Sequence, residues 1–419
     1  MPGVSKLLIH GGNKIQGQLN VSGAKNSVLP ILAATVLNGS TNVIHNIPAL
    51  SDVKIMKGIL RAVGCNVKRE DKTIIVDSKG VNNHVIPEEL VREMRSSIIF
   101  LGAMLGRCGE TIVSYPGGCE IGPRPIDLHL KSLKEMGAQI KENHGFLICK
   151  TKELKGNDIH LDFPSVGATE NIMLAAIKAK GITTITNAAR EPEIKDLQDF
   201  LNAIGGRVTG AGSNTIRIEG VENLNSVEHT IIPDRIVAGT YLVAAAITRG
   251  KIQLKNVIPQ HFQATIAKLK EAGCKIIYSP DEISLSAPEN LLGIESIKTM
   301  PYPGFPTDMQ SQIMALMTVS QGISIIKENI FENRYKHAYE LMRMGANIKI
   351  DGRIAVIKGV DRLTGAIVKA NDLRGGAALV LAGLAAEGMT IVKNADHICR
   401  GYDNIAKELN SVGADIRSL

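Results

Sequence analysis

A chain of 419 residues exceeds the roughly 250–300 at which one hydrophobic core stops growing, so at least two domains are expected. Hydrophobic residues at 44% and charged residues at 21% exclude a mainly disordered chain, and apolar stretches such as Gly375 to Ala386 fall short of the roughly 20 residues of a membrane span. The net charge of +7 favours anionic partners, yet aromatics at 3% and no Trp leave little material for stacking on nucleic-acid bases. The start, MPGVSKLLIHGGNK, lacks an apolar signal-peptide core, and a cytoplasmic protein is expected. The six cysteines are scattered without a CxxC pair, which reads as reduced thiols with no zinc site.

In chain order the pattern is cyclic. The segment KLLIHGG (residues 6–12) reads as a strand. Then comes a small-residue apolar helix with a polar start, SGAKNSVLPILAATVL, followed by the strand TNVIHNI, a helix ending in LRAVGCNV and the strand TIIVDS. The apolar helix recurs as MRSSIIFLGAML, SVGATENIMLAAI, PDRIVAGTYLVAAAI, TDMQSQIMALMTV and DLRGGAALVLAGLAA. Its apolar character all round predicts burial on every side. The second helix is amphipathic: Leu197, Phe200, Leu201 and Ile204 share one stripe. It ends each time near a glycine, at Gly64, Gly137, Gly205, Gly273, Gly345 and Gly413, spaced 68 to 73 residues apart. Each glycine suits a helix C-cap with positive φ. Only five strands follow these helices in order, so the N-terminal strand should complete the last unit. The reading is α/β, six repeats of about 70 residues, three per domain. One domain is 22–230, carrying the loop with Cys119, and the other is 1–21 plus 231–419, closed by the N-terminal strand.

Chemistry is expected at the N-termini of the buried helices and in the loops after the following strands. Those positions carry Lys25, Asn26, Arg95, Ser165, Asp234, Arg235, Asp308, Asp372 and Arg374, and then Cys119, Arg124, Arg190, Gln260, His261, Arg334 and Arg400. Helix N-termini favour anions, so basic groups recurring there predict a polyanion site between the domains. Taken singly, an Arg is a solvated side chain, and Asp308 and Asp372 each suit an N-cap. In the glycine- and proline-rich loop Tyr115–Leu130, Cys119 reads as either a reactive thiol or an inert one.

The segments GGNKIQGQLNVSGAKNSVLPILAATVL, PGGCEIGPRPIDLH, YPGFPTDMQ and DLRGGAALVLAG resemble the UDP-N-acetylglucosamine 1-carboxyvinyltransferase family of enolpyruvyl transferases across the whole chain. The resemblance implies the two-domain inside-out α/β barrel. It also implies transfer of enolpyruvyl from phosphoenolpyruvate to the 3′-hydroxyl of UDP-N-acetylglucosamine with release of phosphate, in peptidoglycan synthesis. No metal or organic cofactor is implied, and neither nucleic acid nor membrane as partner. By the same resemblance Cys119 is the general acid at C3, Asp308 a candidate base, and Lys25, Arg124 and Arg400 hold the phosphate. Arg95, Arg334 and Arg374 are further cleft cations, and Asn26 binds the sugar. Arg124, Pro125, Ile126, Asp127 and Leu128 lie under the uracil. Ser165, Val166 and Gly167 form the diphosphate turn, and Ile330 is a uridine-side contact. The chain departs from some members in Leu161-Asp162-Phe163-Pro164-Ser165, where they carry a Lys. Two other readings predict different behaviour. A shikimate 3-phosphate enolpyruvyl transferase would lack the PGGC loop, and a regulatory sugar-nucleotide binder would not need Cys119, Asp308, Lys25, Arg124 and Arg400 together.

Overall fold

The computed structural model describes residues 5–117, 121–122 and 125–419. They form two compact units, one of residues 23–117 and 125–232, the other of residues 5–22, 121–122 and 233–419. Among the described residues no helix is long and apolar enough to cross a membrane.

The marker glycines act as the sequence requires. All six adopt φ between 92° and 107°. Beyond each, an N–H reaches back five residues to close the helix end: Cys65 to the Leu60 carbonyl at 2.9 Å and Ala414 to the Leu409 carbonyl at 3.1 Å, for example. This pattern needs a left-handed residue that a side chain would strain.

In the unit centred on residues 23–232, Val227–Thr230, Thr41–His45, Thr73–Asp77 and Asn66–Glu70 form one sheet in that order. A second orders Asp158–His160, Ile182–Thr186, Thr215–Glu219 and Arg207–Thr209. In the third, Glu110–Ser114, Phe146–Lys150 and Gln139–Asn143 are joined by a parallel bridge from Val85 to Ile112. In each, the first neighbour is parallel and the others antiparallel. The hairpin strand directly after each glycine escapes the sequence reading because it is mostly exposed. Asn66–Glu70, for instance, buries only Val67.

The other unit holds sheets of the same order. In one of them Lys6–His10 lies between Met389–Lys393 and Asp415–Ser418, with Leu7 opposite both Val392 and Ser418. The N-terminal strand thus completes a sheet otherwise built from the last fifty-odd residues.

Each unit packs three of the apolar helices at its core. All thirteen residues of Arg235–Ile247 are buried. The small residues allow helices to touch: a Cβ on Gly102 would stand 2.1 Å from the Asn171 carbonyl oxygen. Such interiors are close-packed, so truncating a buried Leu here costs about 2–5 kcal/mol.

Candidate active site

In the unit of residues 23–232, the helix Lys25–Ala34 begins without a side-chain cap. Lys25 is buried, and its Nζ lies 2.7 Å from Oδ2 of Asp52, itself buried in the helix Ser51–Ala62. Removing either partner would leave a buried charge, at a cost of about 3–5 kcal/mol. Asp52 is absent from the sequence-level candidates because its start-of-helix position reads as ordinary. Asn26 is half-buried beside Lys25, and half-buried Arg95 opens the 3₁₀ turn Arg95–Ile99. Ile126 is buried, Pro125 and Asp127 are exposed, and Leu128 is half-buried. Ser165 caps the helix Val166–Ala176 by accepting from the Ala168 N–H at 3.3 Å, with half-buried Val166 and Gly167 in its first turn. Phe163 is exposed, and the neighbouring Asp162 pairs with Lys131 at 3.3 Å. Cys119 and Arg124 lie outside the described residues.

Three candidates of the other unit meet directly. Asp308 sits between two guanidiniums: Oδ1 accepts from Arg334 Nη2 at 3.1 Å, and Oδ2 from Arg374 Nε at 3.1 Å. Both arginines are buried, at 2% exposure each. Burial by itself would raise the Asp308 pKa. The charges of Arg374 and Arg334, the hydrogen bond from Arg374 and the charge of Arg235 outweigh it and hold the carboxyl well below the usual range. For Arg374 burial disfavours the charge, but Asp308 keeps it a cation. Arg374 also lies over the Tyr402 ring at 5.6 Å, and Arg334 over Phe331 at 5.8 Å.

The simple capping reading of Asp308 therefore fails. The helix Gln310–Thr318 has no side-chain cap, because the Asp308 carboxylate is drawn away by the arginines. Asp372 is a cap, accepting from the Arg374 and Gly375 N–H groups at 3.0 Å. Its Oδ1 also lies 3.6 Å from Arg334 Nη1. Buried His337 packs here too, its pKa pushed down to about 4 by burial, which outweighs Asp372, while Arg334 lowers it further. Among the described residues, Arg334 Nε is a buried donor with no hydrogen-bond acceptor, while Arg374 also bonds the Tyr402 side chain. Two adjacent guanidiniums, one of them with an unused N–H donor, suit a carboxylate or phosphate.

Ile330 is half-buried, its N–H donating to Glu328 Oε1 at 2.8 Å. Fully buried Glu328 also accepts from Thr299 Oγ1 at 2.7 Å and Thr307 Oγ1 at 3.0 Å, so it fixes the loops on either side of Asp308 and Arg334. Arg400 ends the 3₁₀ helix Ala395–Arg400, half-buried. Lone buried polar residues such as Glu328 and His337 have no sequence signature.

Comparison with known proteins decides the family. A UDP-N-acetylglucosamine 1-carboxyvinyltransferase 2 of Caldanaerobacter subterraneus subsp. tengcongensis is 55% identical over 413 residues, 99% of each chain. The chain belongs to the UDP-N-acetylglucosamine 1-carboxyvinyltransferase family. A member from Myxococcus xanthus is 50% identical over 417 residues, covering 99% of both. The broader family described as EPSP synthase (3-phosphoshikimate 1-carboxyvinyltransferase) matches residues 9–409. Among solved structures, the enolpyruvyl transferase NikO from Streptomyces tendae superposes with TM-score 0.90 at 25% identity, over 99% of each chain. An EPSP synthase from Acinetobacter baumannii reaches TM-score 0.74 at 18% identity, over 98% of this chain and 99% of the other, a likeness of fold. This chain is thus a transferase of mixed α/β architecture.

Proposed function

We propose that this family member transfers enolpyruvyl from phosphoenolpyruvate to the 3′-hydroxyl of UDP-N-acetylglucosamine, using the residues assigned by resemblance. Its two units are then the two domains of an inside-out α/β barrel, three repeats in each. The sugar oxygen attacks C2 as C3 takes a proton; phosphate then leaves as a C3 proton is lost. Cys119 serves as acid at C3. Lys25, Arg124 and Arg400 hold the phosphate, and Arg95, Arg334 and Arg374 neutralise the remaining negative charge. Asn26 contacts the sugar, Pro125 to Leu128 and Ile330 the uridine, and Ser165 to Gly167 the diphosphate.

The observation that carries this reading is the carboxylate of Asp308 held between the two buried guanidiniums of Arg334 and Arg374. With both arginines bound to it, Asp308 holds protons too weakly to act as a base. An anionic substrate that takes up those guanidiniums would raise its proton affinity, readying it to accept the 3′-hydroxyl proton. Base strength would then appear only when phosphoenolpyruvate is in place.

The test is phosphate release from phosphoenolpyruvate, with UDP-N-acetylglucosamine or shikimate 3-phosphate as acceptor. Release that depends on the sugar nucleotide supports the assignment. Release with shikimate 3-phosphate alone moves the chain to the sister reaction, and binding without release makes it a regulatory sugar-nucleotide binder.

A further inference from the structure

The helix Phe100–Cys108 is interrupted where it leaves the Arg95–Ile99 turn. In a continuous α-helix the Gly102 N–H would donate to the Ile98 carbonyl, four residues back. Here a side chain from another helix takes both places. Gly102 N–H donates to Asn171 Oδ1 at 2.7 Å, and Asn171 Nδ2 donates to the Ile98 carbonyl at 3.0 Å. Asn171 is fully buried on the helix Val166–Ala176. Only Gly102, without a side chain, allows this approach, for a Cβ there would lie 2.9 Å from Asn171 Oδ1.

These two bonds fix the amide. A backbone N–H only donates and a carbonyl only accepts, so Oδ1 must face Gly102 and Nδ2 must face Ile98. The second hydrogen on Nδ2 points to Nδ1 of buried His129, 2.7 Å away. Nδ1 is therefore an acceptor, and the neutral ring carries its proton on Nε2. The ring's Cε1–Nε2 edge lies against Gly167, where a Cβ would meet Cε1 at 2.9 Å and Nε2 at 3.3 Å.

We propose that Asn171 is a positioning residue. It holds the Arg95 turn in its opened form and locks His129 as the Nε2–H tautomer, with that donor edge set against the Ser165–Gly167 turn. The tautomer follows from hydrogen-bond logic alone. Its consequence for nucleotide binding rests on the function proposed above.

The test reads ¹⁵N–¹H couplings of the histidine rings in the ¹⁵N-labelled full chain at pH 8, with His129→Gln identifying the His129 signals among ten histidines. The expected wild-type pattern is Nε2–H; an Nδ1–H pattern overturns the proposal without any variant. Asn171→Asp keeps the acceptor for Gly102 but puts a carboxylate against Nδ1, so the neutral His129 ring at pH 8 should carry its proton on Nδ1 in place of Nε2. In the phosphate-release assay the same variant should raise KM for UDP-N-acetylglucosamine about tenfold, with kcat little changed. A switched tautomer with unchanged KM would refute the positioning role. Absent turnover in the wild type would count against the proposed function alone, because the spectra are recorded without substrate.

Discussion

Asp308→Asn isolates the electrostatics of the site with almost no change of shape. It leaves the side chains of Arg334 and Arg374, 2% and 3% exposed, facing a neutral amide. Stripping one partner from a buried ion pair costs about 3–5 kcal/mol. Two features reduce that figure: the Asp308 side chain is 30% exposed, and Arg334 keeps Asp372 at 3.6 Å. About 2–3 kcal/mol remains once solvent screening is allowed for. A unit of some 200 residues loses about 2–4 °C of Tm per kcal/mol, so calorimetry at pH 7.5 without substrate should show a fall of about 4–12 °C. The pH dependence has a definite sign. The folded carboxyl titrates below its usual 3.8, so its stabilisation is complete above that value and is lost as pH falls further. The gap between wild type and variant should close as pH drops below 4. A Tm within a degree of wild type at pH 7.5, or a gap that does not narrow in acid, would refute the reasoning.

The other predictions concern burial and capping. Glu170 is buried, and burial together with the charges of Glu193 and Glu191 raises its pKa well above 4.5. Its penalty is absent in acid and grows as pH rises through 4.5 toward the folded value, so Glu170→Gln should raise Tm at pH 8 and leave it unchanged at pH 4; equal shifts at both would contradict this. Burial pushes the Cys65, Cys149 and Cys274 thiols up to about 12, so they should resist iodoacetamide in the native chain at pH 7.5. Peptide mapping should find Cys119 alkylated first, and Cys119→Ser should escape inactivation by fosfomycin; equal inactivation would put the reactive thiol elsewhere. Ser165→Ala removes a helix cap and should cost about 1 kcal/mol in chemical denaturation, which an unchanged midpoint would disprove.

What could be read from the sequence was what repeats. The glycines at 64, 137, 205, 273, 345 and 413 mark a backbone conformation that few residues adopt, so they reveal every amphipathic helix end. The apolar helices announce themselves by lacking a polar face. The short edge strands and polar hairpin strands do not, because a segment such as Asn66–Glu70 buries one side chain and gains its order from its neighbour. At the site, Asp308, Arg334 and Arg374 could be named singly, but not their mutual contact, which joins residues 66 positions apart. Asp52, His129 and Asn171 were illegible because their meaning lies in the groups they face.

The strand Lys6–His10 has a consequence for synthesis. It leaves the ribosome long before both its partners, Met389–Lys393 and Asp415–Ser418. At about 5–20 residues per second it waits some twenty seconds to over a minute for them. Meanwhile the described strands of residues 23–232 pair only with one another, so this unit can fold as it emerges. The nascent chain thus carries a finished unit between two parts of an unfinished one, and among the described strands Lys6–His10 stays unpaired longest.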